Sequence, residues 1–181
     1  MKIGILTSSR ADFGIYYPLL KELKYDNFFE MEIIVFGTHL SEKFGLTKNE
    51  IFKAGFDVSH EIFTLPDSDS SLDIAISIGK SIEQFAQFWA EHSYDLVFAL
   101  GDRYEMFAAV TAASPFNQAF AHIHAGETTL GAVDNMYRHA ISLMSDYLFV
   151  STEEYKTRAA QIKGDDKNIF NVGALSIDNL K

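Results

Sequence analysis

Asp95-Leu-Val-Phe-Ala-Leu100, running into Gly101-Asp-Arg-Tyr-Glu105, decides the fold. The residues between the acid and the glycine are apolar on both alternating faces, so a strand built from them has no solvent side. The runs at 2–7 and 119–124 share that property. Strands buried on both faces belong to a parallel sheet covered by helices, and parallel neighbours must be joined by long crossovers. Further strand-like runs rich in β-branched and aromatic residues lie at 31–36, 60–65, 147–150 and 169–172. Helical spacing fills the intervals at 13–25, 48–54, 71–92, 104–113, 134–145 and 153–163. Alternating elements with right-handed crossovers predict an α/β, doubly wound, mostly parallel Rossmann-like sheet. Chemistry should then gather at the carboxyl ends of the strands.

A chain of 181 residues with 48% apolar content fits one globular domain with a real core. Its 25 acidic and 15 basic residues give a net charge of -10, which repels polyanions and argues against nucleic acid as a partner. The absence of cysteine excludes disulfides and thiolate chemistry and leaves His, Asp and Glu as the only candidate metal ligands. The apolar run at the N-terminus is too short for a signal-peptide core. The longest helical stretch carries Asp73, Lys80, Glu83 and Glu91, so no membrane span is expected. A soluble, cytoplasmic protein is the expectation. Pro66-Asp-Ser-Asp-Ser-Ser71 reads as a loop into the long helix, and residues 173–181 begin a further turn or helix.

The polar groups concentrate after the apolar strands. Thr7-Ser-Ser-Arg-Ala-Asp-Phe-Gly14 brings hydroxyls, amides and Arg10 to a helix N-terminus, an arrangement that suits a phosphate. The same residues also read as Ser9 or Asp12 capping the helix with Arg10 in solvent. The segment has neither the GxGxxG fingerprint nor a P-loop, which argues against a dinucleotide dehydrogenase and an ordinary NTPase. Asp102 and Arg103 follow the fourth strand, as ligand contacts or as a helix cap and a surface residue. His122 and His124, two apart in a strand, should face one side, with Glu127 just beyond. Completed by Asp102 they could hold a metal; the alternative is proton transfer by carboxyl and imidazole groups, and that reading is preferred, with no metal. Asp134 and Arg138 stand at i and i+4 and could form a helical ion pair, with His139 further round the helix. His39, after the second strand, reads as a loop histidine unless neighbouring loops share its pocket.

Taken in order, Ser9-Arg-Ala-Asp-Phe-Gly14, Gly37-Thr-His-Leu40 with Phe44-Gly-Leu-Thr47, Gly101-Asp-Arg103, His122-Ile-His-Ala-Gly-Glu127, Gly131-Ala-Val-Asp134 and Arg138-His-Ala-Ile141 resemble the hydrolysing UDP-N-acetylglucosamine 2-epimerases. The likeness is greatest to the branch that serves sialic-acid-type biosynthesis. That resemblance implies the N-terminal half of a two-domain, glycosyltransferase-B-like fold. Residues 1–175 would form the N-terminal domain, and 176–181 the start of the connection to a second Rossmann-like domain. It implies release of UDP and N-acetylmannosamine, or a related 2-epimerised amino sugar, through a 2-acetamidoglucal intermediate, with no cofactor.

By the same resemblance Asp102 and Asp134 match catalytic carboxylates, and Arg10 and Arg103 are similar to nucleotide-phosphate ligands. His39 and Arg138 match positions nearer the sugar, and His139, in the same motif, joins the substrate-binding set. Several relatives have a catalytic glutamate where this chain has His124, so either His124 or Glu127 is expected to move the proton. The expected partners are a UDP-sugar, the second domain and further copies of the chain in a homo-oligomer; the isolated domain should be inactive. Two other readings stay open on the sequence, a non-catalytic nucleotide-sugar binding module and a metal-dependent hydrolase.

Overall fold

The computed structural model describes residues 1–64, 68 and 70–180. Among them the strands are β1 (Lys2–Thr7), β2 (Glu30–Phe36), β3 (His60–Ile62), β4 (Leu96–Leu100), β5 (Phe120–Ile123), β6 (Tyr147–Val150) and β7 (Ile169–Asn171). They form one wholly parallel sheet in the order β3-β2-β1-β4-β5-β6-β7. The helices are α1 (Arg10–Tyr25), α2 (Lys48–Lys53), α3 (Ser71–Glu91), α4 (Tyr104–Ala113), α5 (Asp134–Met144) and α6 (Glu153–Lys163). This is the doubly wound Rossmann-like architecture expected from the apolar runs.

The period-two alternation of each strand divides the core. Ile3, Ile5, Ile33 and Val35 face α1 and α2, where Phe13, Tyr16 and Ile51 meet them. Leu6, Ile34 and Phe36 face the other layer, where Phe85 and Trp89 of α3, Met106 of α4 and Ile141 of α5 close over them. A smaller cluster seats Ala159 of α6 against Leu148, Val150 and Ile169.

Three elements differ from the sequence expectation for local reasons. Helix α1 starts at Arg10 rather than at residue 13, because Ser9 and Asp12 form a reciprocal capping box that extends the helix by a turn. Strand β3 ends at Ile62, and Thr64 turns inward instead: its hydroxyl accepts from Gly37 N at 3.1 Å and its carbonyl from Ser77 Oγ at 2.7 Å. Residue 65 of the expected strand, and 66, 67 and 69 of the expected loop, lie outside the described residues. Strand β5 stops at Ile123, since His124 adopts a left-handed φ of 63°.

Pro18 sits inside α1 and has no N–H to offer the carbonyl of Gly14. Asn179 Nδ2 donates to that carbonyl at 2.9 Å, from a short 3-10 turn over Leu175–Leu180 that packs on α1. The last described residues are thus tied to the first helix of the domain.

At the amino end of the sheet Glu32 accepts from Tyr94 Oη at 2.6 Å and pairs with Lys2 and His60. Burial alone would raise its carboxyl, but the bonds from Tyr94, Lys2 and His60 prevail and hold it at about 2. A depressed carboxylate stabilises the fold fully above its unfolded value and loses that contribution as it protonates. The contribution of Glu32 is therefore present above the ordinary value of 4.5 and disappears as the pH falls toward 2. Glu32→Gln should flatten the acid limb of a denaturation-midpoint-against-pH curve over that window. A variant whose acid limb is as steep as the parent's would refute the assignment.

Candidate active site

The strand order reverses between β1 and β4, so the connections leaving their carboxyl ends diverge and open a crevice. A cavity of about 430 Å³ occupies it. Ser9, Ala11, Asp12 and Ile15 line it from the start of α1, residues 100–103 from the β4–α4 turn, His124 and Glu127 from beyond β5, and Arg138 from α5. A larger surface groove of about 670 Å³ follows α6 and includes none of these groups.

Arg138 joins the site's acids. Its side chain is only 8% exposed; Nη2 donates to Asp102 and Nη1 to Glu127 Oε2 at 3.1 Å. The helical ion pair expected between Asp134 and Arg138 does not form. Arg138 turns inward, while Asp134 remains exposed at the start of α5 with no ion-pair partner among the described residues. Asp102 uses one carboxylate oxygen on Arg138, and its other oxygen has no protein partner among the described residues.

Glu127 is committed on both oxygens. Oε1 lies 2.7 Å from His124 Nδ1 and accepts from Ser151 Oγ at 2.6 Å, and Oε2 takes Arg138. Burial would raise this carboxyl, but the His124 and Ser151 bonds and the Arg138 charge hold it below its ordinary value. An ionised carboxylate only accepts, so His124 carries a proton on Nδ1. In the neutral ring Nε2 is then the basic nitrogen, and it is buried with no partner.

His122 and His124 do not act from one side as strand spacing suggested. The left-handed turn at His124 breaks the alternation, and the His122 ring points into the protein, with Nε2 2.8 Å from Gly101 O and Nδ1 3.0 Å from Ser142 Oγ. Burial pushes His122 down to about 3, so it is neutral. Both its ring nitrogens are committed, and no three His, Asp or Glu among the described residues are arranged around a common metal position. The metal-hydrolase reading fails on that donor geometry.

Of the other expected residues, Asp12 and Arg103 line the cavity, while Arg10, His39 and His139 are not among its lining residues. The Asp12 carboxylate accepts from Ser8 N, Ser9 N and Ser8 Oγ, which occupies the amides that were expected to cradle a phosphate. Arg10 lies on the surface, 73% exposed, paired with Glu50 of α2 at 2.9 Å. His39 is fully buried between the hydroxyls of Thr7 and Thr47, each at 2.9 Å. Burial pushes its imidazole below the ordinary value. His139 keeps Nε2 buried without a partner and is not among the residues that line the cavity. Arg103 does line the cavity, gripped through Nη2 and Nε by the fully buried Glu105.

Glu105, Ser151 and Ser142 are the site groups that sequence reasoning missed. Glu105 carried a faint signal, an acid two residues beyond Arg103 at a helix start. Ser151 and Ser142 carried none, because their partners are 24 and 20 residues away in the chain.

The family profile described as UDP-N-acetylglucosamine 2-epimerase matches residues 21–181. A GDP/UDP-N,N'-diacetylbacillosamine 2-epimerase (hydrolyzing) of Campylobacter jejuni is 36% identical over 99% of this chain and 47% of its own length. The polysialic acid biosynthesis protein P7 of Escherichia coli is 35% identical over 98% of this chain and 46% of its own. The chain spans about half the length of the curated relatives it matches. The crystal structure of the Neisseria meningitidis UDP-GlcNAc 2-epimerase bound to UDP-GlcNAc superimposes with a TM-score of 0.85 at 19% identity, covering 99% of this chain and 48% of that one. At that identity the likeness speaks for the fold.

The turn that carries His124 and Glu127 depends on Gly126. Its φ is 68°, and a Cβ there would lie 2.5 Å from the Tyr155 carbonyl oxygen and 3.1 Å from Ala159. Gly126→Ala combines left-handed strain with a backbone clash, and should cost about 2–5 kcal/mol in chemical denaturation. An unchanged midpoint would contradict so close an approach of α6 to the turn.

Proposed function

The chain belongs to the UDP-N-acetylglucosamine 2-epimerase family, and from that premise we propose that its cavity is one wall of the active cleft of a hydrolysing nucleotide-sugar 2-epimerase. The observation that carries the reading is the set of acid–base groups held on one buried guanidinium at the sheet's switch point: Asp102, Glu127 and, through Glu127, His124. In this reaction a base takes the proton from sugar C2 while the C1–O bond breaks, and the bonding pair leaves with UDP. The product of that step is a 2-acetamidoglucal. Water then adds at C1 and a proton returns to C2 on the opposite face, giving the free 2-epimerised sugar, N-acetylmannosamine where the substrate is UDP-N-acetylglucosamine. Electrons balance without a redox cofactor.

Epimerisation needs proton-moving groups on two faces of the ring. We assign His124 Nε2 to one of them, with Glu127 as its orienting partner, because both Glu127 oxygens are already engaged. Asp102, with one unpartnered oxygen, and the exposed Asp134 are the carboxylates available for the other. Arg103 and Arg138 supply positive charge where the diphosphate departs, and Arg10 joins them by giving up its surface pair. His39 and His139 serve the substrate from behind the wall, His39 by fixing Thr7 and Thr47. A second Rossmann-like half completes the cleft, in a cytoplasmic homo-oligomer.

The full-length protein, given UDP-N-acetylglucosamine or the UDP-N,N'-diacetylbacillosamine type of substrate, should release UDP and a 2-epimerised sugar. In heavy water that sugar should carry deuterium at C2. No UDP release from any N-acetylated UDP-sugar would sink the reading. His124→Ala should lower kcat by about a hundredfold or more, and Glu127→Gln by less, since the imidazole remains. The 181-residue chain alone should be nearly inactive, because half of the cleft is missing.

A further inference from the structure

We infer that His122, locked by Ser142, is a positioning residue that sets the geometry of Asp102 against Arg138. The catalytic consequence rests on the epimerase reading, whereas the positioning geometry does not.

A carbonyl oxygen can only accept, so the 2.8 Å contact between His122 Nε2 and Gly101 O puts the proton on Nε2. Nδ1 is then a bare acceptor, and the Ser142 hydroxyl donates to it at 3.0 Å. The ring is fully buried, and that burial, with the Arg138 charge beside it, opposes its protonation. It is a fixed, neutral tautomer with each nitrogen assigned.

The same residue is also held through its amide, since Gly101 N donates to Ile123 O at 3.1 Å. Two adjacent residues of β5 therefore grip Gly101, whose left-handed φ of 77° redirects the chain into Asp102. Ser142 lies one helical turn beyond Arg138 on the same face of α5. His122 thus spans the turn that bears Asp102 and the helix face that bears Arg138. An aliphatic side chain would fill the volume but leave the Gly101 carbonyl and the Ser142 hydroxyl without these bonds. A packing role alone does not call for an imidazole with one donor and one acceptor at these two positions.

Imidazole nitrogen NMR on the 181-residue chain tests the geometry directly. His122 should show a protonated Nε2, a bare Nδ1 and no titration from about pH 8 to about pH 5. The opposite tautomer, or titration in that range, overturns the inference. In the full-length protein, Ser142→Ala should lower kcat per folded molecule by about tenfold, with KM within about twofold and the shape of the kcat–pH profile kept. His122→Gln, which retains a donor for Gly101, should recover most of the kcat lost in His122→Leu. Parent-like kcat in Ser142→Ala and His122→Leu, with only the thermal midpoint reduced, would mean that His122 is structural alone. If the parent releases no UDP, the epimerase reading falls, and the NMR result still decides the positioning geometry.

Discussion

One buried guanidinium holds the site together. Arg138 comes from α5, Asp102 from the turn after β4 and Glu127 from the turn after β5, so three separate connections meet at a single cation. Removing a charge from water costs several kcal/mol unless partners replace the solvent, and two carboxylates so close would repel without the cation between them. Arg138 therefore stabilises both acids at once, and they in turn offset the cost of burying it. The geometry of the crevice follows from those contacts, because moving either turn away breaks one of the two carboxylate contacts of the buried Arg138. His124 is fixed in turn through Glu127, and Arg138 Nη1 also approaches the His124 carbonyl at 3.4 Å.

The fold was legible because its signal is local and repeated. Runs such as 95–100 report burial on both faces, and the helical intervals carry their own period, so every expected strand and helix has a counterpart. The differences at element ends arose where a side chain outranked periodicity: the Ser9–Asp12 box lengthened α1, and the inward turn of Thr64 shortened β3. The site was legible by residue type but not by partner. Asp102, His124, Glu127 and Arg138 meet around one cavity. Yet the i,i+4 rule paired Arg138 with Asp134, and strand spacing paired His122 with His124, and neither pairing exists. Both rules hold inside a regular element. Here one partner lies across the sheet and the other follows a left-handed turn, and no local pattern encodes that.

The histidines show how little residue type decides. His39 and His122 are enclosed between fixed partners, and burial keeps both uncharged, so they function as shaped neutral links. His124 has one partnered nitrogen and one without a partner. The difference lies in the count of partners rather than in sequence context, since His122 and His124 share one motif.

The arginines raise a question of electrostatics that bears on how half a cleft could engage a diphosphate. With a net charge of -10 the chain repels anions at long range, so local cations must supply the attraction. Yet Arg10 is paired with Glu50, Arg103 with Glu105, and Arg138 with two carboxylates. A phosphate must therefore compete with a carboxylate already in place, and the cost differs by site. The exposed Arg10–Glu50 pair is worth at most about 1 kcal/mol, so Arg10 can change partners almost freely. Arg138 cannot, because releasing it breaks its contacts to both Asp102 and Glu127. Arg103 lies between: Glu105 holds one edge of its guanidinium through Nη2 and Nε, which leaves Nη1 to reach a second anion while the first pair persists. On this ordering, among the phosphate contacts proposed above, Arg103 would be the preorganised one and Arg10 the recruited one, with Arg138 a fixed charge that helps to hold the Glu127 carboxyl below its ordinary value.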